Sequence, residues 1–383
     1  MGIATVLDPV RRRHPGGRPH HKLDLEGTKD LKLLKGPWSK GFAVALALAY
    51  FMIPGSLEEQ TLRTLCYCGV YAIGAIGLNI LTGFTGQVSL GHAAFFGAGA
   101  YCAAYLGSAQ GWPFLAYVVA AIVVGLAVGG LVGPFAARLR GNYLAVVTIG
   151  LLFLAQHLFM NWDTVTGGGN GVTVGDAAIA IGPLDFRDLE LAGLKYTFPQ
   201  AMFWLIWAFV ALTALLAKNM VRSRPGRALQ AIRDRDLSAE IIGVQPTRYK
   251  VAAFAIAGAC AALAGVFYAL LQNYVNPSEF GGRIGLFLSI TFVAMIIMGG
   301  VGTIYGSILG ALLVEYGRRF IAERGGDAPI FGIPVEKGWV TTGELNGILF
   351  GGLIVFFLLI EPRGLAALWM RIKIWFMSWP FSY

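Results

Sequence analysis

Long apolar runs recur along most of this chain, separated by short segments rich in glycine and charge. A run of about 20 apolar residues can cross the hydrocarbon core of a bilayer as a helix. Helices satisfy their own backbone hydrogen bonds in lipid, so the pattern predicts an all-α polytopic membrane bundle of about eight to ten spans. The predicted spans are residues 41–57, 62–81, 88–107, 114–136, 143–162, 200–217, 251–271, 284–298, 304–321 and 345–360.

Two glycine-rich interruptions break this pattern, one in each half of the chain. Residues 82–92 read TGFTGQVSLGH, and residues 299–306 read GGVGTIYG. Paired interruptions are typical of the binding region in transporters built from repeats, where freed backbone groups line a polar path. Close helix packing over small residues explains the same glycines equally well. The candidate path residues are Thr85, Gly86, Gln87, Ser89, Gly91, His92, Gly299 and Gly302.

The polar side chains of the first interruption leave two interpretations open. They could bind the ammonium and carboxylate groups of a zwitterion, or they could satisfy the backbone of a broken helix. If Gly86 and Gly91 border the path, added bulk at either position should block passage. Assembly with a docked partner should then survive, because the predicted docking segment lies elsewhere in the sequence.

The polar segment 220–250 lies between two apolar runs and carries seven basic and three acidic residues. Its signals are those of short helices: Pro225 suits a first turn, Asp236 an N-cap, and Gly243 the C′ position, while Pro246 prevents continuation. Such a compact basic insert predicts a docking element for a separate protein. The docking groups would be the apolar Leu237, Ile241 and Ile242 and the basic Arg233 and Arg235.

Composition and charge agree with a membrane protein: 56% of residues are hydrophobic, and the net charge is +9. Positive residues collect in the tail 1–40 and the insert 220–250, whereas the loop 163–199 is acidic, so charge predicts cytoplasmic termini and an outer loop. Arg318, Arg319 and Arg324 oppose this topology, although Glu315, Glu323 and Asp327 offset part of their charge. The predicted organisation is a basic, disordered cytoplasmic tail (1–40), a membrane domain (41–364) and a C-terminal cytoplasmic tail (365–383). No apolar core precedes residue 41, so we expect no signal peptide.

Catalytic motifs are missing from the sequence. It contains no phosphate-binding loop and no nucleophile or metal-ligand motif, and its four cysteines lie in apolar runs. We therefore expect neither a metal nor a cofactor on this chain. The apolar spans also lack a carboxylate at mid-depth, because Glu315 and Glu344 are expected near span ends. That argues against an ion-coupled carrier, although a carrier and a membrane-embedded enzyme remain the alternatives to a subunit driven by a partner.

Several blocks of sequence resemble the permease subunits of bacterial branched-chain amino-acid ABC transporters, the LivM-type family. They are LNILTGFTGQVSLGHAAFFGAGAY (78–101), RGNYLAVVTIG (140–150), NWDTVTGGGNGV (161–172), GRALQAIRDRDLSAEIIGVQPTRYKVAAFAIAGACAALAGVFYA (226–269) and IIMGGVGTIYGSILGALL (296–313). The blocks occur in the order of the family. The resemblance covers roughly residues 66–364, whereas the long N-terminal tail and residues 318–339 do not match.

The resemblance implies an importer in the bacterial inner membrane. Cytoplasmic ABC ATPase subunits would bind ATP and Mg²⁺, a second permease subunit would complete the path, and a periplasmic binding protein would deliver the substrate. Lipid would be the only other partner, with no role for nucleic acid. Relatives in the family move branched-chain amino acids, urea, amides or aromatic acids. The implied ATPase-coupling residues around the family's E-A-A-like element are Arg233, Arg235, Asp236, Leu237, Ala239, Glu240, Ile241 and Gly243.

Overall fold

The computed structural model describes residues 37–139, 142–175, 177–182, 184–191, 194–324 and 364–378, together with residues 351, 352, 355 and 359. The chain forms two compact units, Met1–Ile53 and Pro54–Tyr383. The described residues of the first unit belong to helix α1 (Pro37–Ser56). Every other helix and strand named below lies in the second unit.

Helices form most of the second unit, as the apolar runs predict. They are α2 (Glu59–Thr85), α3 (His92–Cys102), α4 (Phe114–Arg138), α5 (Asn142–Asn161), α6 (Asp163–Thr166), α7 (Phe198–Arg222), α8 (Arg224–Asp234), α9 (Asp236–Ile241), α10 (Pro246–Gln272), α11 (Pro277–Phe280), α12 (Gly282–Gly299), α13 (Ile304–Arg324) and α14 (Gly364–Ser378). Among the described residues, six helices are long and apolar enough to cross a membrane: α2, α4, α5, α7, α10 and α12. The predicted polytopic helical bundle is therefore confirmed.

One predicted span begins at the wrong residue. The run 88–107 was expected to be one helix, but α3 starts only at His92 and continues as a π-helical segment, Ala103–Ala109. The preceding residues 86–91 are non-helical because Gly86 adopts a left-handed conformation with φ 73° and ends α2. Most of the predicted span 345–360 lies outside the described residues.

Helix α10 packs extensively against α4, α2 and α3 and forms the centre of the bundle. A Cβ atom at Gly125 of α4 would lie 2.4 Å from the carbonyl oxygen of Gly258 on α10, and a Cβ at Gly258 would meet Gly125 equally closely. Glycine therefore allows the two backbones to approach, as is usual for helix packing in lipid. Large apolar side chains of α4, including Val119 and Val123, remain exposed, as expected of a lipid-facing or subunit-facing surface.

Short antiparallel strand pairs lie at one end of the bundle. They are β1 (Val172–Thr173), β2 (Ala180–Ile181), β3 (Leu184–Asp185), β4 (Glu190–Leu191), β5 (Leu194–Lys195) and β6 (Tyr274–Val275). β1 pairs with β6, so Val172 lies opposite Val275 and ties the loop after α5 to the end of α10. The other pairs are β2 with β3 and β4 with β5. We call this the loop end of the bundle, and the opposite end, which carries α8 and α9, the insert end.

Candidate functional site

The insert 220–250 folds as two short helices, α8 and α9, as its sequence predicts. Pro225 lies in the first turn of α8, where its missing N–H breaks no helical hydrogen bond. The N-cap prediction for α9 is wrong by one residue, because Arg235 is the cap and Asp236 is the first helical residue. The Asp236 carboxylate instead accepts a hydrogen bond of 2.7 Å from Lys250, which is nearly buried at the start of α10. That ion pair fixes α9 to the bundle.

The predicted C-terminus of α9 is confirmed. Gly243 has φ 88°, a left-handed conformation that glycine adopts readily. Its N–H bonds the Glu240 carbonyl and the N–H of Val244 bonds the Ala239 carbonyl, both at 3.0 Å. This pair of bonds is a Schellman motif, which satisfies the carbonyl groups left over at a helix end. The chain can then turn sharply into α10.

Apolar side chains of the α9 region project into solvent at the insert end. Leu237, Ile241 and Ile242 are 64%, 85% and 74% exposed, whereas Ala239 is buried against the protein. Arg235 and Glu240 are exposed beside them. A polar segment that exposes three large aliphatic side chains on so short a helix has the composition of a protein-docking surface.

Arg233 connects the insert to both interruptions of the bundle. Its Nη1 atom donates a hydrogen bond to the carbonyl oxygen of Gly83, in the last turn of α2. A Cβ atom at Gly302 would lie 2.7 Å from Arg233 Nη1, and one at Gly86 would lie 3.6 Å from Arg233 Cγ. The insert therefore contacts both interruptions, although the sequence pattern predicted a docking segment away from them. Bulk added at Gly86 would disturb Arg233, so such a variant does not test the path independently of docking.

Nearby side chains bond several backbone groups in and next to the non-helical part of the first interruption, residues 86–91. The hydroxyl of Thr85 donates to the Leu81 carbonyl, and that of Thr82 donates to the Gln87 carbonyl at 3.1 Å. From neighbouring helices, the hydroxyls of Thr148 on α5 and Ser289 on α12 accept hydrogen bonds of 3.0 Å from the backbone N–H groups of Leu90 and Ala93. These hydroxyl groups fit the backbone-satisfying interpretation.

Two buried side chains at this interruption keep polar atoms available. Gln87 and His92 are 5% and 1% exposed. His92 Nε2 lies 3.0 Å from the Gly74 carbonyl oxygen, and its ring stands edge-on to Phe292 at 4.9 Å. Gln87 Nε2 and His92 Nδ1 have no hydrogen-bond partner among the described residues. Because buried polar groups are normally paired, these two atoms can bind water or a polar solute.

One side-chain amide bonds the non-helical part of the second interruption, residues 300–303. Asn79 on α2 donates to the Thr303 carbonyl at 2.8 Å and to the Ser307 hydroxyl at 2.7 Å. Its Oδ1 atom accepts the N–H of Gly302 at 2.9 Å. The Asn79 side chain thus makes three hydrogen bonds to this break and the adjacent first turn of α13, so α2 and the α12–α13 connection are held together at the insert end.

The predicted path residues fall into two groups. Gly86 and Gly302 lie next to Arg233, Thr85 and Gln87 flank Gly86 in sequence, and the buried Ser89 and His92 follow along the chain. Gly91 instead packs against the Thr148 backbone and Gly299 against Gly306, so tight helix packing explains these two glycines. The sequence does not indicate that Thr148, Ser289 and Ser307 contact the interruptions. Hydroxyl residues in helices often bond only to the backbone of their own helix.

One expectation about charge is wrong. Glu315 was expected near a span end, yet it lies in the middle of α13 and is fully buried. It forms ion pairs with Arg318 at 3.0 Å and Arg319 at 2.8 Å, which offsets part of the positive charge that opposed the predicted topology. Glu344 lies outside the described residues. In the part of the chain that the structure describes, no cluster of histidine, cysteine, aspartate and glutamate could hold a metal ion.

Comparisons with known proteins identify similar chains. A family model described as "Branched-chain amino acid transport system / permease component" matches residues 60–358. The high-affinity branched-chain amino acid transport system permease protein LivM of Salmonella typhimurium is 29% identical over 84% of this chain and 72% of its own. LivM of Escherichia coli (strain K12) is 29% identical over 85% and 74%, respectively. LivH of the same organism is 26% identical over 80% and 94%. No solved structure matches the chain significantly.

These matches cover the first interruption, the insert, the second interruption and α13 together. They support a transport permease and give no support to the ion-coupled carrier or the membrane-embedded enzyme that the sequence left as alternatives.

Proposed function

The chain belongs to the family of permease components of branched-chain amino acid transport systems, and we propose that it imports branched-chain amino acids or a related small polar solute in an ATP-driven complex. It is a multi-pass membrane permease subunit and not an enzyme. The LivM and LivH relatives are named as permease proteins of high-affinity branched-chain amino acid transport systems, which supports this substrate class.

In the proposed complex, cytoplasmic ABC ATPases dock on α9 and the chain lies in the inner membrane with both termini in the cytoplasm. A second permease subunit shares the path, and a periplasmic binding protein delivers the substrate at the loop end. The exposed Leu237, Ile241 and Ile242 suit a groove on the ATPase, with Arg235 and Glu240 beside them for polar contacts. ATP and Mg²⁺ belong to the ATPase, since this sequence has no phosphate-binding loop.

The contact from Arg233 to Gly83 is the observation that carries the proposal. A displacement of α8 and α9 by the ATPase would pull on the last turn of α2 through this hydrogen bond. It would also act directly on Gly302, against which Arg233 packs. Asn79 holds α2 to the same connection. Packed helices switch between discrete arrangements, so a small movement of the insert can shift both breaks at once.

Gln87 and His92 are the polar groups best placed to meet a solute in the path. Both are buried within the first interruption, and each keeps one nitrogen without a partner among the described residues. The close-packed Gly91 and Gly299 are better explained as helix contacts that hold the breaks in position.

The test is reconstitution of the permease with its cognate ATPase, second permease and binding protein in vesicles. We expect uptake of radiolabelled leucine that requires ATP and the binding protein, and co-purification of the ATPase with the tagged chain. The control is the chain alone in vesicles under a proton or sodium gradient, which should give no uptake. Gradient-driven uptake by the chain alone, or no ATPase association, would contradict the proposal.

A further inference from the structure

An unusual charged cluster lies in α13, away from the insert and both interruptions. Glu315 is fully buried, and its two carboxylate oxygens accept hydrogen bonds from Arg318 Nε and Nη2, both at 3.1 Å. Glu315 Oε1 also accepts from Arg319 Nε at 2.8 Å. One carboxylate therefore holds two guanidinium groups, and the cluster keeps one net positive charge.

The two arginines have different surroundings. Arg319 is turned inward, and its guanidinium carbon lies 3.9 Å from the ring centroid of Tyr67 on α2. The Arg318 side chain remains 50% exposed. Among the described residues, the partners of Arg318 are the Glu315 oxygens, and its Nη1 atom makes no hydrogen bond. Arg319 thus belongs to the packing of α13 on α2, whereas part of the Arg318 guanidinium remains exposed.

The position of Arg318 along the helix restricts what it can face. It lies 14 residues beyond Ile304, about 21 Å along α13 at the usual rise per residue, and six residues before Arg324. A charged side chain within the predicted span 304–321 is costly in hydrocarbon and normally faces water or protein. We therefore expect the exposed side of α13 at Arg318 to be a surface of the path or of a subunit contact.

We propose that Arg318 is a transit contact for the carboxylate of the transported amino acid in the loop-end half of the path. The inference rests on the proposed function, because it takes an amino acid as the cargo. A guanidinium group matches a carboxylate through paired N–H donors. Glu315 holds one edge of this guanidinium, which orients the other edge outward. The Glu315 carboxylate also competes with the carboxylate of the solute for the Arg318 guanidinium, which weakens the binding of the solute. Weak binding suits a transit site, which must release its solute as readily as it binds it.

The experiment compares three variants of the full complex in vesicles, with leucine uptake and ATP hydrolysis measured together at saturating binding protein. Arg318→Met is expected to lower the leucine imported per ATP at least tenfold. Arg318→Lys, which keeps the charge without the paired donors, is expected to restore part of that loss. The matched control is Arg283→Met, which removes another exposed arginine, on α12, whose guanidinium carbon lies 5.9 Å from the centroid of the Phe287 ring. It should transport as the parent complex does.

The outcomes separate this proposal from the proposed function. Absence of ATP-dependent uptake by the parent complex would refute the proposed function itself. Uptake by Arg318→Met equal to that of the parent would overturn the carboxylate contact alone. Loss of the second permease subunit from the purified Arg318→Met complex would also overturn it, because Arg318 would then be an intersubunit contact. If Arg318→Met does not accumulate, Arg318→Gln provides the same comparison.

Discussion

Arg233 on α8 donates a hydrogen bond to the carbonyl oxygen of Gly83, a residue 150 positions earlier in the chain. Gly83 belongs to the last turn of α2, where carbonyl groups have no partner within the helix. A guanidinium group is well suited to such a helix end, because the helix dipole places partial negative charge there. The bond thus satisfies a helix terminus and at the same time joins the insert to the interrupted membrane helices.

Replacing Arg233 should uncouple ATP hydrolysis from transport. A hydrogen bond to a charged group contributes about 1.5–3 kcal/mol, and 1.4 kcal/mol corresponds to a factor of ten in an equilibrium. We therefore expect Arg233→Met to lower leucine uptake per ATP about tenfold while the ATPase still co-purifies. Arg224→Met, an exposed arginine at the start of the same helix, is the control. Loss of ATPase binding in Arg233→Met would instead assign Arg233 to the docking surface.

Replacing Gly243 should weaken the docking of α9. The position has φ 88° and open space around it, so a side chain there is opposed by backbone strain and not by a clash. The left-handed conformation costs about 1–2 kcal/mol for a residue with a Cβ. Gly243→Val should reduce ATPase co-purification, with the thermal unfolding midpoint of the membrane part nearly unchanged. Gly111→Val is a matched control, because Gly111 has φ 65° and open space at the other end of the bundle. Equal ATPase recovery from both variants would refute this role.

The bundle was predictable because the apolar runs are long and lipid permits few alternatives to a helix. The start of α3 was not, since Val88 continues an apolar pattern that only the left-handed Gly86 interrupts. The burial of Glu315 could not be predicted from the sequence either. Its compensation comes from Arg318 and Arg319. The sequence indicated that Glu315 offsets part of their charge, but not that the three side chains form one ion-paired cluster.

The site was predicted less completely than the fold. Gly243 was identifiable because a helix terminus is local, and turn chemistry can be inferred from neighbouring residues. Asp236 was misplaced by one residue because its carboxylate pairs with Lys250, 14 positions later. The contact of Arg233 with Gly83 and the three bonds of Asn79 join segments far apart in sequence. No pattern within a single helix can reveal them.

Glu279 on α11 should give a pH-dependent stability. Its half-buried carboxyl accepts a hydrogen bond of 3.2 Å from Tyr268, but the stronger effect of burial raises the pKa of Glu279 above its ordinary value of 4.5. At a pH above its raised pKa, the ionised Glu279 therefore destabilises the folded state. This penalty disappears as the pH falls to the ordinary pKa of a glutamate. Glu279→Gln should raise the thermal unfolding midpoint at neutral pH, with the gain shrinking on acidification.

Tyr268→Phe provides the companion measurement for Glu279. Removing the hydroxyl that stabilises the carboxylate should raise the pKa of Glu279 further. In the Tyr268→Phe background, the gain in unfolding midpoint from Glu279→Gln should therefore begin to shrink at a higher pH than it does with Tyr268 present. A difference between parent and Glu279→Gln that is constant with pH would show that the raised pKa does not contribute to stability.

The loop end should face the periplasm. The acidic loop 163–199 and the basic insert 220–250 lie at opposite ends of the bundle, and positive loops remain cytoplasmic. Gly169 is exposed and has open space around its Cα, so a cysteine there should be accommodated without distortion. In a background without the four native cysteines, Gly169→Cys should react with a membrane-impermeant maleimide added to intact spheroplasts. Gln230→Cys, exposed on α8, should react only after the membrane is permeabilised. The reverse pattern of labelling would invert the topology and place the docking surface on the wrong side of the membrane for a cytoplasmic ATPase.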